Sequence, residues 1–174
     1  MMLSGINIKR LMTKVLIICT GNTCRSPMAE GILRSLLAEK GIEDIQVESA
    51  GIGAMDGMTA TPFAIEVAAH WGIDIKGHRA KHLTRAMINE ADLILAMAPE
   101  HVAFISRKNP AASKKTFLIK AFPEPFSPSQ EGVADPIGGM LTDYHNTYME
   151  LDETLRRIIN KLIEILDPLK KNPE

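Results

Sequence analysis

Hydrophobic and polar residues alternate along this chain with two different periods. Short apolar or alternating runs predict four β-strands, at residues 14–18, 45–49, 93–95 and 116–119. Apolar residues at helical spacing predict five helices, at residues 26–40, 61–72, 84–90, 99–107 and 142–166. Because strands and helices alternate, the connections are expected to be right-handed βαβ crossovers within a parallel sheet. The pattern predicts a three-layer α/β fold, with helices on both faces of the sheet.

The segment between the first strand and the first helix, residues 19–27, has the sequence CTGNTCRSP. Such a loop can turn its backbone amides toward one centre at a helix N-terminus. Gly21 permits a positive backbone φ, Asn22 tolerates one, and Arg25 can donate two parallel hydrogen bonds to an oxyanion. We expect the Ser26 hydroxyl to cap the helix, with Pro27 in its first turn. The segment predicts a phosphate-binding loop made of Thr20, Gly21, Asn22, Thr23, Cys24 and Arg25.

Cys19 is the predicted nucleophile of this loop. The helix dipole, the loop amides and Arg25 each favour the thiolate, so we expect a thiol pKa well below the ordinary value of about 8.5. Cys19 would attack phosphorus in line, while Arg25 and the amides stabilise the equatorial oxygens. Water would then hydrolyse the phosphocysteine, and neither a metal nor another cofactor is required.

Three other interpretations fit these residues less well. A cysteine after an apolar strand is often a small buried hydrophobe, but that explains neither Arg25 nor the Ser-Pro helix start. A zinc site would need more ligands than Cys19 and Cys24, and His78 and His82 have ordinary helical spacing. A nucleotide-binding P-loop requires a lysine where this chain has Arg25.

A leaving group departs from phosphorus more easily when it is protonated, so a general acid is expected on another loop. Residues 121–139 are rich in proline, serine and glycine and lack periodicity, which is typical of a functional loop. Asp135, stiffened by Pro136, is the candidate acid. Aspartate, proline and glycine also form ordinary turns, and the residues alone leave both interpretations open.

Composition limits the classes of partner and compartment. With 174 residues, 45% of them hydrophobic, we expect one domain at residues 13–168, a disordered leader or start-site extension at 1–12 and a tail at 169–174. A formal net charge of -1 provides no basic field for nucleic acid or a membrane surface, and no run spans a bilayer. Two cysteines close in sequence favour a reducing, cytoplasmic compartment. We expect a monomer.

The sequence resembles the low-molecular-weight protein tyrosine phosphatase family over nearly everything after residue 12. The resemblance lies in residues 15–27 with their Cys-x5-Arg-Ser-Pro motif, in Ser49-Ala50-Gly51, in residues 91–97 and in Asp135-Pro136. It implies a four-stranded parallel sheet with flanking helices. It also implies that Cys19 is the nucleophile, Arg25 the phosphate ligand and Asp135 the acid and then the base, acting on phosphorylated proteins.

The same resemblance implies a supporting hydrogen-bond network and a redox partner. The residues that match the family's network, which holds the strained loop, are Asn22, Ser26, Ser49 and His78. Cys24 matches a second loop cysteine that can form a reversible disulfide with the nucleophile and shield it from over-oxidation. Otherwise Cys24 simply packs.

Two positions bear on the substrate. Tyrosine-directed members carry a bulky aliphatic residue where this chain has Thr23, and aromatic residues after Asp-Pro where it has Ile137 and Gly138. The chain is similar instead to the bacterial protein arginine phosphatase branch. A threonine hydroxyl can orient water or a guanidinium nitrogen, which isoleucine cannot. The predicted substrate is therefore protein phosphoarginine, with phosphotyrosine as the alternative.

Two further functions stay open at this point. A thioredoxin-coupled arsenate reductase uses a similar loop but needs further cysteines, and none follows Cys24. A silent phosphoprotein-binding module keeps the anion site but normally loses the nucleophile or the acid, and both are present here.

Overall fold

The computed structural model describes residues 12–167, which form one parallel sheet covered by helices. The strands are β1 (Thr13–Cys19), β2 (Ile45–Gly51), β3 (Leu93–Ala96) and β4 (Thr116–Leu118). The helices are α1 (Arg25–Glu39), α2 (Pro62–His70), α3 (Arg85–Glu90), α4 (Pro99–Lys108) and α5 (Leu141–Leu166). The strand order is β2-β1-β3-β4, and every pairing is parallel. The predicted fold class is confirmed.

The central strand β1 explains why helices cover both faces. Successive side chains of a strand point to opposite faces, and each face of β1 is apolar. Val15 and Ile17 pack into a core with α1, α2 and α5, while Leu16 and Ile18 pack into a second core with α3 and α4. Full burial of one such side chain contributes roughly 1.5–3 kcal/mol. Both faces therefore hold the strand in place.

Parallel strands bring several loops to one edge of the sheet. Cys19 ends β1 and pairs with Gly51, which ends β2. Beyond β3, the N–H of Met97 donates to Ile18, and the N–H of Val133 donates to Met97 at 2.7 Å. The loop after β1, the segment after β2, the start of α4 and the loop carrying Asp135 therefore meet at the carboxyl edge, where ligands bind in such folds.

The structure departs from the sequence-based expectations in local details. A 3-10 helix, Pro110–Lys115, precedes β4 and was not predicted. Helix α1 begins at Arg25, and its N-terminus has no side-chain cap, so the expected capping role of Ser26 is wrong. Apart from Met12, the predicted leader at 1–12 and the tail at 169–174 lie outside the described residues. Across residues 12–167, no helix has the length and hydrophobicity to span a bilayer.

Candidate active site

The loop between β1 and α1 folds around the sulfur of Cys19. The backbone N–H of Asn22 donates to Sγ at 3.2 Å, and the Ser26 hydroxyl oxygen lies 2.8 Å from it. Asn22 has a φ of 55°, a left-handed conformation that asparagine tolerates better than most residues. This turn sends the loop back over the thiol, beside the N-terminus of α1.

The side chain of Asn22 connects this loop to its surroundings. It is fully buried, and its Nδ2 donates to the hydroxyls of Ser26 at 2.7 Å and Ser49 at 2.9 Å. Its Oδ1 accepts from the N–H of Lys81 at 2.9 Å. The ring of His78 donates from Nε2 to the Asn22 carbonyl at 2.7 Å. The structure thus brings together the four residues of the predicted supporting network.

A carboxylate ends this hydrogen-bond chain. The Ser49 hydroxyl donates to the carboxylate of Glu30, which also pairs with Arg34 at 2.7 Å. Since Glu30 accepts the Ser49 proton, the Ser49 oxygen is oriented to accept from Asn22. Glu30 lies one turn after the loop motif, and no pattern in the sequence marks it as a partner of Ser49.

The predicted phosphate ligand and the predicted acid are in contact. Arg25 is almost fully buried and donates from Nη1 to the Val133 carbonyl at 2.9 Å. Its Nη2 lies 3.1 Å from Oδ2 of Asp135. Cys19, Arg25 and Asp135 line one cavity of about 20 Å³, close to the space that a single water needs. A phosphate group would therefore need the residues around this cavity to move.

The pKa of the nucleophile differs from the expectation. Burial raises the pKa of the Cys19 thiol above its ordinary value, and this effect outweighs the lowering by Ser26, by the Arg25 charge and by the Asn22 amide. The expected low pKa is therefore wrong for this state of the protein. Asp135 lies against Arg25, so the guanidinium charge beside the thiol is shared with a carboxylate.

The second cysteine has its own partners. Cys24 is buried, and its Sγ lies 3.4 Å from the Thr61 hydroxyl and 3.5 Å from the Tyr144 hydroxyl. Cys19 and Cys24 are both free thiols. These contacts show that Cys24 packs against α2 and α5, and a reversible disulfide with Cys19 stays a prediction.

The two predicted selectivity residues lie at the same cavity. Thr23 lines it, and its carbonyl accepts from the N–H of Thr61 at 2.9 Å. Ile137 also lines it, is 60% exposed, and donates its N–H to Oδ1 of Asp135 at 3.2 Å. Within residues 12–167, no set of three or more His, Cys, Asp or Glu side chains is arranged to hold a metal ion.

Comparison with known proteins identifies the family. A model described as low molecular weight phosphotyrosine protein phosphatase matches residues 14–171. The chain belongs to this family. It is accordingly a hydrolase of phosphoric monoesters or phosphoramidates.

Relatives within the phosphatase family carry two different substrate names. A probable low molecular weight protein-tyrosine-phosphatase, EpsP of Ralstonia nicotianae, is 41% identical over 130 residues, covering 75% of this chain and 82% of that protein. The protein-arginine-phosphatase of Bacillus subtilis is 36% identical over 148 residues, covering 85% and 95%. A solved YwlE arginine phosphatase mutant with a phosphorylated active-site serine is 35% identical, with a TM-score of 0.79, covering 86% and 95%.

One partner of this phosphatase's loop was missed because no sequence signal marks it. His101, in the first turn of α4, is fully buried and lies 2.9 Å from the Thr20 hydroxyl through Nε2. Its Nδ1 accepts from the N–H of Ala98 at 3.0 Å. Burial lowers the pKa of His101 to about 4, helped by the Arg25 charge, so the ring is neutral near pH 7. A histidine 82 residues after the nucleophile carries no local motif.

Proposed function

We propose that this phosphatase hydrolyses phosphoarginine in cytoplasmic proteins, through a phosphocysteine intermediate formed on Cys19. The observation that carries the proposal is the composition of one cavity, which combines Cys19, Arg25 and Asp135 with Thr23 and Ile137. We assign the activity to residues 13–168 as a single domain.

The chemistry begins when the substrate phosphoryl group takes the place of Asp135 beside Arg25. The Cys19 sulfur attacks phosphorus in line, and Arg25 with the loop amides stabilises the equatorial oxygens. The Cys19 thiol loses its proton to solvent before the attack, and Asp135, once released from Arg25, takes up a proton. As the S–P bond forms and the P–N bond breaks, Asp135 gives that proton to the leaving nitrogen. The Asp135 carboxylate then accepts a proton from the attacking water, whose new O–P bond replaces the S–P bond and frees the Cys19 thiolate.

Thr23 and Asp135 support arginine as the phosphorylated residue. The Thr23 hydroxyl adds a polar group to the cavity wall, and the Asp135 carboxylate can pair with a cationic guanidinium. Among the described residues, those that line the cavity include no aromatic side chain to stack on a phenol. The B. subtilis relative named protein-arginine-phosphatase adds support from comparison.

Phosphotyrosine is the second candidate, and one observation favours it. Phe63, in the first turn of α2, is 39% exposed, and its ring packs edge-on against Tyr144 at 5.5 Å. Tyr144 in turn contacts Cys24 of the catalytic loop. The exposed edge of Phe63 could contact a phenol ring that enters the site from that side, and the EpsP relative carries a tyrosine phosphatase name.

Hydrolysis of p-nitrophenyl phosphate tests the nucleophile assignment. We expect turnover that is unaffected by EDTA, inhibited by vanadate and lost in Cys19→Ser. Cys24→Ser changes the other loop cysteine, whose sulfur contacts Thr61 and Tyr144, and it should keep far more turnover than Cys19→Ser. Persistent turnover in purified Cys19→Ser would rule out Cys19 as the nucleophile.

Competition between two peptides tests the substrate assignment. Peptides of one sequence, carrying either phosphoarginine or phosphotyrosine, are compared with the parent and with Thr23→Ile. We expect the parent to prefer phosphoarginine and Thr23→Ile to shift the ratio of kcat/KM at least tenfold toward phosphotyrosine. Thr59→Ile, on an exposed segment outside the cavity, should leave the ratio unchanged. A parent that prefers phosphotyrosine, with a ratio insensitive to Thr23, would exclude the arginine assignment.

A further inference from the structure

His101 links two parts of the site that are far apart in sequence. It lies in the first turn of α4, beyond the carboxyl end of β3, and none of its surface is exposed. Its two ring nitrogens contact two different segments, Thr20 of the catalytic loop and Ala98 before α4. A buried polar ring with both nitrogens bonded fixes the groups on either side of it.

The two contacts determine the tautomer of the ring. The Ala98 N–H is a donor, so Nδ1 must be the acceptor and carries no proton. Nε2 therefore carries the proton and donates to the Thr20 hydroxyl oxygen. An imidazolium would place a second proton on Nδ1, facing the Ala98 N–H, and would add positive charge close to Arg25. The arrangement works only with a neutral ring.

Thr20 is the first residue after the nucleophile and is tied down twice. Its carbonyl accepts from the N–H of Gly53 at 2.9 Å, and its hydroxyl accepts from His101. Although Thr20 is an exposed residue, its side chain is thus anchored to a buried group. These two bonds hold the backbone between Cys19 and Gly21, together with the bond from the Ile52 N–H to the Cys19 carbonyl at 3.0 Å.

Ala98 leads to the other side of the reaction centre. Gly132 packs so closely on this segment that an added Cβ would lie 2.7 Å from the Ala98 Cα. The next residue, Val133, donates its N–H to Met97 and accepts from Arg25. Fixing Ala98 therefore also supports the loop segment that accepts the hydrogen bond from Arg25 and leads to Asp135.

We propose that His101 is a positioning residue for phosphoryl transfer, which holds the loop backbone next to Cys19 through its Nε2–H bond to Thr20. The proposal rests on the proposed phosphatase chemistry. No substrate contact is assigned to His101. Its effect is expected on the transition state, because the loop amides must match the equatorial oxygens more closely there than in the substrate complex.

The test compares substitutions at both ends of the bond, with p-nitrophenyl phosphate as substrate. His101→Leu and Thr20→Val should each lower kcat about tenfold, change KM less than threefold and weaken vanadate inhibition about tenfold. His101→Gln, whose amide can donate to Thr20, and Thr20→Ser, which keeps the acceptor, should recover most of kcat. The double variant His101→Leu/Thr20→Val should be no slower than the slower single variant, because both remove the same bond.

A matched control separates positioning from general stability. Thr116→Val removes another buried hydrogen bond, from the Thr116 hydroxyl to the Ala112 carbonyl at 2.8 Å, at the far end of the sheet. It should lower Tm without changing kcat. If His101→Leu does not fold, the Thr20 variants decide alone. An unchanged kcat in Thr20→Val, or a double variant slowed about a hundredfold, would overturn the proposal for His101. Failure of the proposed phosphatase chemistry is a separate result, because it would appear as turnover that persists in Cys19→Ser.

Discussion

Asn22 offers the sharpest test of how the catalytic loop is held. Asn22→Ala removes the three side-chain hydrogen bonds to Ser26, Ser49 and Lys81. It also places alanine at a φ of 55°, which asparagine tolerates and alanine does not. The substitution therefore removes hydrogen bonds and adds backbone strain at once.

The expected loss can be worked from these contacts. Each hydrogen bond contributes about 1 kcal/mol net, and the left-handed conformation costs alanine about 1 kcal/mol more than asparagine. The total is about 4 kcal/mol, a large share of the roughly 5–15 kcal/mol that stabilises an ordinary domain. For a chain of this size, that corresponds to a fall in Tm of about 12 °C.

Urea unfolding and thermal melting measure this loss of stability. One further variant separates the hydrogen bonds from the backbone strain, and another is a control at an exposed hydrogen bond. Asn22→Gly keeps the positive φ and should lose only about 3 kcal/mol. Asn89→Ala removes the exposed bond between Asn89 and Asn109, at 2.6 Å, and should change the free energy of unfolding by less than about 0.5 kcal/mol. Because the loop is proposed to bind the phosphoryl group, kcat for p-nitrophenyl phosphate should fall with stability in both Asn22 variants.

Two results would contradict this reasoning. If the free energy of unfolding of Asn22→Ala lies within about 1 kcal/mol of the parent's, the network does not stabilise the fold. If Asn22→Gly is less stable than Asn22→Ala, the positive φ is not a source of strain at this position.

Three other predictions follow from the geometry of the site. Since burial raises the pKa of Cys19, its thiolate fraction should increase as pH rises through neutrality. The rate of Cys19 alkylation by iodoacetamide should then increase with pH. At pH 7, Asp135→Asn should be alkylated faster than the parent and Ser26→Ala more slowly. A rate that stays flat from pH 6 to 9 would contradict this. Asp135→Asn should slow aryl phosphates with poor leaving groups more than p-nitrophenyl phosphate, and equal slowing would exclude its role as acid. Gly51→Ala, whose Cβ would lie 3.0 Å from the Asn22 nitrogen, should destabilise by about 2 kcal/mol on urea unfolding, whereas Gly53→Ala, 3.8 Å from Thr20, should be tolerated.

The order of the elements could be predicted because local patterns determine it. The apolar run of β1 and the Ser-Pro helix start place Cys19 and Arg25 at the two ends of one loop, and parallel strands bring Asp135 to the same edge. The 3-10 helix was missed because residues 110–115 carry no distinctive apolar period. Helix α1 begins one residue earlier than expected, and the Ser26 hydroxyl does not cap it because Asn22 and Cys19 engage that hydroxyl.

The contacts around the loop could not be predicted in the same way. Glu30 and His101 act through side chains whose neighbours come from distant segments, and single positions in the sequence do not encode such proximity. The direction of the Cys19 pKa shift depends on a balance between burial and nearby charge. The residues indicated the charges correctly, but the degree of burial and the contact between Asp135 and Arg25 appear only in three dimensions.

The pairing of Arg25 with Asp135 has a consequence for discrimination among anions. The side chain of Arg25 is only 5% exposed, and an intramolecular carboxylate already occupies its outer nitrogen. A glutamate or aspartate of another protein would only replace the Asp135 carboxylate with a second carboxylate. Acidic surfaces should therefore bind weakly at this cavity. A phosphoryl group has a third oxygen and a second negative charge, so it can displace Asp135 from Arg25. On this reasoning, the Arg25–Asp135 pair favours phosphoryl groups over carboxylates at this cavity.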